Sequence, residues 1–449
     1  MSTSLPTAGP ASGQRRPRPP PTAVPRPATP SGPRDRLAIL IARLTRRAIR
    51  TTGAGAGSTL PGRIAERIAP GILSRAARGL EPIVLVSATN GKTTTTALLR
   101  AALTAGGRRV LSNSTGSNLH RGLTTAVLCS RGVADCAVFE VDEAILPRVV
   151  DELDPDMLVL LNLSRDQLDR YYEVHSLAGR WRAAAGRLSP GARVVAVDHD
   201  PLVSHAAEAA PRTVTVGVAG AGLGRDAAGC PACGELLVGS PSGRPCCPTC
   251  RWRRPRRQVE AERHGSEVRL HGLGTDVQAT LPVSSPGYTA NAAAAWAAAV
   301  SLGVPPRDAI AAIAAIQVVE SRYAEIAWRG RTVRLLLAKN PAGWDDVLAA
   351  VAASGRPAAV SINAGIPDGR DTSWIWDVDM GALRGRPVVV ATGERAEDVA
   401  LRLTVAGIDP VMEPRLEHAL LRAVDQGGAM DLLADYTSFQ AARRLLGDG

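Results

Sequence analysis

Glu81-Pro-Ile-Val-Leu-Val-Ser-Ala-Thr-Asn-Gly-Lys-Thr-Thr-Thr-Thr-Ala-Leu-Leu-Arg100 is the stretch from which the rest of the chain is read. The β-branched run from Ile83 to Val86 predicts a buried strand. A small polar turn follows, and a helix is predicted from Thr93, with Ala97, Leu98 and Leu99 inside it. A strand, a Gly-Lys-Thr turn and a helix N-terminus make a phosphate cradle. Backbone N–H groups face the anion, Lys92 adds a compact charge, and the Thr93 hydroxyl can ligate Mg²⁺. The first glycine of the strict G-x-x-x-x-G-K-[ST] pattern falls on Val86, so that position is lost. A Ser/Thr-rich helix cap is the bland alternative, and composition argues against it. Only Lys92 and Lys339 are lysines among 53 basic residues. A chain that otherwise writes its cations as arginine keeps an ammonium here.

At 449 residues, two or more domains are expected. Hydrophobic content of 45% supports real cores, yet aromatics are only 3%, so small aliphatic residues must fill them. The net charge of +11 is concentrated locally. One group is Arg15, Arg16, Arg18, Arg26 and Arg34, and another is Arg251, Arg253, Arg254, Arg256 and Arg257. That distribution implies attraction to acidic ligands or anionic surfaces, and no nucleic acid is expected as partner. No apolar run has the length of a spanning helix and no signal peptide opens the chain, so a cytoplasmic protein is expected. Seven clustered cysteines do not make a secreted disulfide framework.

Residues 1–34 are predicted to be a disordered tail. Leu37, Leu40, Ile41, Leu44 and Ala48 then share a helical face, read as packing on the protein's own domain rather than on a membrane. Strands are predicted at Arg109 to Leu111, Ala137 to Val141, Leu158 to Leu163, Arg193 to Val197 and Thr213 to Val218, with helices between. This alternation predicts a doubly wound parallel sheet. Glu140 closes one strand at the edge where ligands sit in such sheets, and it is the candidate partner of Thr93 for Mg²⁺.

Cys230-Pro-Ala-Cys233 and Cys247-Pro-Thr-Cys250 are two C-x-x-C knuckles whose spacing suits a closed four-thiolate Zn²⁺ site with a structural role. Cys246 is an alternative to Cys247 as ligand. Asn291, near the start of an alanine-rich helix, is either a cap or a contact to a nucleotide base. A second α/β domain is predicted beyond residue 317, with strands at Val333-Leu337, Ala358-Asn363 and Pro387-Ala391. Its loop Ile366 to Asp379 holds four aspartates and two of the seven tryptophans, the mark of a site or an interface.

Ala88-Thr-Asn-Gly-Lys-Thr-Thr94, Glu140, Asn291 and Ser321-Arg322 together resemble the Mur ligases, which make amides through an ATP-derived acyl phosphate. The four-Cys insertion, Asn162 to Tyr171 and Asp368-Gly-Arg-Asp-Thr-Ser-Trp-Ile-Trp-Asp377 are similar to the MurT-type branch of that family. The resemblance implies a Mur ligase-like P-loop ATPase domain over 35–317, with a zinc ribbon insertion at about 226–257, and a C-terminal α/β domain over 318–449. It also implies that Thr89, Asn90, Gly91, Lys92, Thr93 and Thr94 bind the ATP phosphates. Thr93 and Glu140 would hold Mg²⁺, Asn291 would meet the adenine, and Arg322 would reach the nucleotide from the domain junction.

The implied reaction is amidation of the D-glutamate α-carboxyl of the lipid II stem peptide to D-isoglutamine, at the inner membrane surface. No Gly-x-Cys-x-Gly nucleophile elbow is present, so ammonia would come from a separate GatD-like glutaminase. The resemblance makes Asp371, with Asp368 second, the residue that completes that partner's triad. Ala88 and Ser321 depart from the family pattern, which has glycine there. The absence of lysine between Asp166 and Leu188 leaves a second metal site without its usual ligand. The alternatives are a Mur-like or folylpolyglutamate-like ligase that adds an amino acid, and a nucleic-acid-binding NTPase with a zinc ribbon.

Overall fold

The structure is a computed structural model. It describes residues 32–52, 59–113, 117–130, 132–164, 171–223, 228–239, 244–316, 323–352, 354–365, 368–424 and 428–447. The N-terminal tail through residue 31 and the Ser321-Arg322 pair lie outside the described residues.

Three helices, α1 (Pro33–Thr52), α2 (Leu60–Ile68) and α3 (Ile72–Ala77), precede the first strand. Strands and helices then alternate: β1 (Ile83–Ser87), α4 (Lys92–Ala105), β2 (Val110–Ser112), α5 (His120–Leu128), β3 (Cys136–Glu140), α6 (Leu146–Leu153), β4 (Met157–Leu160), α7 (Tyr171–Ala185), β5 (Arg193–Val197), α8 (Pro201–Ala207) and β6 (Thr213–Val218). The strands pair in the order β2-β3-β1-β4-β5-β6, every neighbour parallel. The expected parallel sheet is therefore present, with β1 at its centre.

Because β1 is buried on both faces, its side chains alternate between two cores. Val84 and Val86 meet Leu98, Leu99 and Ala102 of α4, while Leu85 meets Leu123, Phe139 and the helices of the other side. The alanine-rich helix α9 (Pro286–Ser301) lies on the first of these faces, buried from Ala292 to Ala299. Its small side chains let it approach the strands closely, and Trp296 fills the remaining space with its indole N–H on the Pro306 carbonyl at 3.0 Å.

The sheet does not end at β6. Strand β7 (Val259–His264) pairs parallel to it, and β8 (Glu267–Gly272) and β9 (Thr275–Thr280) continue antiparallel. These strands alternate buried Val259, Ala261, Val268 and Leu270 with charged residues. One face only is covered, as antiparallel edges allow. Helix α10 (Pro306–Ala314) closes the domain.

The second sheet has the order β10-β11-β15-β12-β13-β14. A hairpin, β10 (Tyr323–Trp328) and β11 (Arg331–Leu337), is followed by α11 (Pro341–Val351), β12 (Ala358–Ser361), β13 (Val389–Thr392), α12 (Ala396–Val405), β14 (Val411–Met412), α13 (Leu416–Val424), β15 (Ala429–Ala434) and α14 (Tyr436–Leu446). All pairs beyond the hairpin are parallel.

Helix α1 packs on its own domain, as expected, but not through the face that the leucine spacing suggests. The leucine face does not pack on the domain: Leu37, Leu40 and Leu44 are 50%, 55% and 57% exposed. The buried face is that of Ala38 and Ala42, against α2 and the end of α5. Alanine lets the helices approach closely, and Arg43 and Arg46 donate to the Leu128 and Cys129 carbonyls at 2.9 and 3.0 Å. Those two carbonyls belong to the C-terminal end of α5, where cations are favoured.

Candidate active site

The turn between β1 and α4 carries the cradle. Gly91 has φ +86°, in the left-handed region, and a Cβ there would lie 2.5 Å from the Asn291 Oδ1. Both conformation and space therefore require glycine. Val86, the place of the missing first glycine, is a fully buried strand residue and takes no part in the turn. Helix α4 opens at Lys92, and Thr95 N–H closes its first turn on the Gly91 carbonyl at 2.9 Å. The earlier backbone N–H groups of that helix point outward, as an anion requires.

Thr93 Oγ1 donates to Glu140 Oε2 at 2.9 Å, so the two hard-oxygen groups expected to serve Mg²⁺ are together. Glu140 is itself held by Asn113, which accepts from the Glu140 N–H at 2.9 Å and donates to its carbonyl at 2.8 Å. Lys92 is nearly buried and pairs with Glu143 at 2.9 Å, while also donating to the Ala88 carbonyl. Burial raises the Glu143 carboxyl above its ordinary range, and the Lys92 charge partly offsets this. Trp181 fixes that segment through the Glu143 carbonyl at 2.9 Å.

A second asparagine secures the loop itself. Asn162, just past β4, accepts from Asn90 N–H and donates to the Asn90 carbonyl, both at 2.9 Å. Thr89 adds bonds to Ser164. Thr94 is buried on the first turn of α4. The Asn90 side chain reaches the other domain, donating to Asn340 Oδ1 at 3.0 Å. Asn340 is fully buried and also caps α11 by accepting from Gly343 N–H. Asp346 of α11 accepts from the Gly287 N–H of α9 at 2.8 Å.

Between these two cross-domain bonds lies a cleft of about 530 Å³, lined by Asn90, Gly91, His199, Tyr288, Asn291 and Tyr323 among others. The Tyr288 hydroxyl is buried there without a hydrogen-bond partner among the described residues, and burial pushes its pKa up to about 12. An orphaned hydroxyl in a cleft beside a phosphate cradle fits a nucleoside. Asn291 faces that cleft while supporting Gly91, so it joins the loop to the space where a base would lie.

The ribbon leaves the sheet between β6 and β7. The sulfurs of Cys230, Cys233, Cys247 and Cys250 all lie within 4.8 Å of one another, with the 230–250 and 233–247 pairs at 3.5 Å. A tetrahedral thiolate site with Zn–S near 2.3 Å has sulfur–sulfur edges of about 3.8 Å, so the set fits a closed metal site. Cys246 is not in the cluster: its backbone bridges Val238 and Arg253. Arg257 and Arg254 anchor the far end of the ribbon on buried Asp198, at 2.7 and 3.5 Å.

In the C-terminal domain Asp371 is exposed, and its pKa is lowered by hydrogen bonding from the Ser373 side chain and then from the Ser373 N–H, which donates to its carboxylate at 2.9 Å. Asp368 is occupied otherwise, accepting from the Thr437 N–H at 3.0 Å and from its hydroxyl. Arg322 lies outside the described residues.

Comparison with known proteins fits this architecture. The Mur ligase middle domain family matches residues 86–232, and the MurT ligase C-terminal family matches residues 337–439. The lipid II isoglutaminyl synthase (glutamine-hydrolyzing) subunit MurT of Staphylococcus aureus (strain COL) is 29% identical over 423 residues, covering 90% of this chain and 96% of that protein. The chain is similar along most of its length to Mur ligases of the MurT type. The corresponding subunit of Streptococcus pneumoniae (strain ATCC BAA-255 / R6) is 29% identical over 420 residues, covering 87% and 93%. A pseudomurein peptide ligase type C from Methanothermus fervidus superposes with a TM-score of 0.66 at 18% identity, over 83% of this chain and 79% of that one, a likeness of fold. The chain is an ATP-dependent ligase, and Mur ligases use ATP and Mg²⁺.

Two residues of this site, Asn113 and Asp346, carry no sequence signal of their own; Glu143 belongs to the acidic strand end that holds Glu140, and Asn340 precedes Pro341 as a helix cap does. Asn162 is legible as the start of a segment at a chemistry-bearing strand end and in the branch resemblance, but its bonds to Asn90 are not.

Proposed function

We propose that the chain amidates the α-carboxyl of D-glutamate in the lipid II stem peptide, with ATP and with ammonia from a GatD-type glutaminase, in peptidoglycan synthesis. The observation that carries this reading is the likeness to MurT subunits along 90% of the chain, cradle and C-terminal domain together. A carboxylate oxygen of the substrate attacks the γ-phosphorus of ATP and ADP leaves. Ammonia then attacks the acyl carbon, phosphate leaves, and the amide keeps the nitrogen.

The chain's own residues orient and screen. The first turn of α4 and Lys92 hold the phosphates, and Lys92 exchanges its pairing with Glu143 for the nucleotide. Thr93 and Glu140 would hold Mg²⁺, which would neutralise the phosphate charge. Asn162 and Asn340 keep the loop in register, and Asn291 and Tyr288 face the base. The four thiolates of Cys230, Cys233, Cys247 and Cys250 would hold Zn²⁺ and so stiffen the ribbon.

Asp371 is the residue for the partner's triad, orienting its histidine, because Asp368 is committed to Thr437. Trp376, in the same loop as Asp371, is half-exposed, and Leu401 and Val405 are exposed on α12, which packs against the Ser373–Asp377 turn. Exposed apolar side chains in and near the loop that carries this carboxylate suit a docked subunit. The site of action is the cytoplasmic face of the membrane. No helix among the described residues is long and apolar enough to cross it.

The test is co-expression with a GatD-type glutaminase and assay of lipid II with ATP. Asp371→Asn is expected to abolish glutamine-driven turnover while ammonia-driven turnover survives. Equal loss of both would move Asp371 into the ligase chemistry. No ATP-dependent amidation from either nitrogen source would refute the reading, and turnover with an amino acid instead would favour a peptide-forming ligase.

A further inference from the structure

Helix α1 carries a feature that the ligase chemistry does not use. At 3.6 residues per turn, Leu37, Leu40 and Leu44 fall within an arc of about 60°, roughly opposite the buried alanines. All three are at least half exposed. Arg36, Arg47 and Arg50 fall on one flank of that stripe and are exposed as well. The charge is equally localised. Residues 1–52 contain ten arginines and one acid, Asp35, so they hold +9 of the chain's net +11. Asp35 is bound to Arg75 at 2.7 Å and does not face the stripe.

We propose that α1 lies in the interface of an anionic phospholipid bilayer, with the leucines at the acyl boundary and the flanking arginines among the phosphates. A narrow leucine stripe with basic residues beside it is the pattern of an in-plane helix. Three half-exposed leucines fall short of the roughly 800 Å² per partner of a stable protein interface, and cationic flanks are depleted from such interface cores. A bilayer needs no such area, because charge attraction adds to apolar insertion. The inference extends the membrane location proposed above by naming the surface that makes the contact. Vesicles without lipid II test it apart from the amidation.

The experiment is flotation of the full chain with vesicles of phosphatidylcholine alone or mixed with phosphatidylglycerol. Binding to the mixed vesicles that weakens with salt is expected, with little on phosphatidylcholine alone. The combined variant Leu37→Ser, Leu40→Ser, Leu44→Ser should lower partitioning about tenfold or more, with ATP binding and circular dichroism unchanged. Arg36→Gln, Arg47→Gln, Arg50→Gln should flatten the salt dependence. The idea is overturned if the full chain does not float with anionic vesicles, or if the leucine variant floats like the parent. It is equally overturned if only Arg15, Arg16, Arg18 and Arg26 changed to Gln abolish binding, since the tail would then be the contact. A leucine variant that floats normally but turns a dimer into a monomer on sizing chromatography would assign the stripe to a second copy.

Discussion

His120 offers a quantitative test of how the N-terminal helices are held. It sits at the start of α5, with Nδ1 on Glu66 of α2 at 2.8 Å and Nε2 on Glu152 of α6 at 2.5 Å. The hydrogen bond with Glu152, then that with Glu66, raises its pKa from 6.5 to about 9 against the opposing effect of burial. Because the folded pKa lies above the unfolded one, the stabilisation is complete below about pH 6.5 and is lost as pH rises through about 9. A shift of that size corresponds to about 3 kcal/mol in full, of which about 2.5 kcal/mol remains at pH 7 and almost none at about pH 10. His120→Gln removes the titration while keeping one donor for a carboxylate. Urea unfolding of both proteins between about pH 7 and pH 10 should show the parent losing about 2 to 2.5 kcal/mol relative to the variant. Other titrating groups are common to both and cancel. Parallel pH curves would show that the imidazolium is not what binds α2 to α5 and α6.

The phosphate loop, its metal pair and the ribbon yield three shorter predictions. Gly91→Ala should weaken ATP binding by about 2 to 3 kcal/mol, from the left-handed backbone and the collision with Asn291. Calorimetry in an Asn291→Ala background should recover the collision and leave about 1 to 2 kcal/mol. Asn113→Ala should raise the Mg²⁺ requirement for turnover by about 10- to 100-fold by releasing the Glu140 backbone, measured as an activity titration with ATP saturating. Cys233→Ser should lower the bound zinc measured by mass spectrometry and alter Trp252 fluorescence, because Trp252 ties the ribbon to Glu208 at 3.2 Å.

What the sequence disclosed and what it hid divide along separation in the chain. The cradle is contiguous from Ala88 to Thr94 and the thiol knuckles are local pairs, so their chemistry is written in spacing. Asn113, Asn162 and Asn340 act on backbone or side chains 27, 72 and 250 residues away. An asparagine has no periodicity to announce such a contact. At α1 the amphipathic pattern was legible but the inward face was not. Two alanines could pass for filler, and only the neighbouring helices reveal that they are the contact. The β7 to β9 extension is not legible in the sequence for a related reason: its strands mix charges with small apolar residues, and their pairing depends on a sheet already formed. The long apolar strands at the centre of both sheets needed no such help.

Asn340 spends a single buried oxygen on two masters, the first turn of α11 and the side chain of Asn90. The two domains are therefore not exchangeable cassettes. A chimaera that keeps this ATPase half but takes its C-terminal half from a Mur ligase lacking that asparagine would inherit a phosphate loop with an unanswered amide, and an α11 needing another cap. Recombination across this junction would succeed only where both halves brought the matching amides. Asn90 and Asn340 thus help to key the two halves to one another.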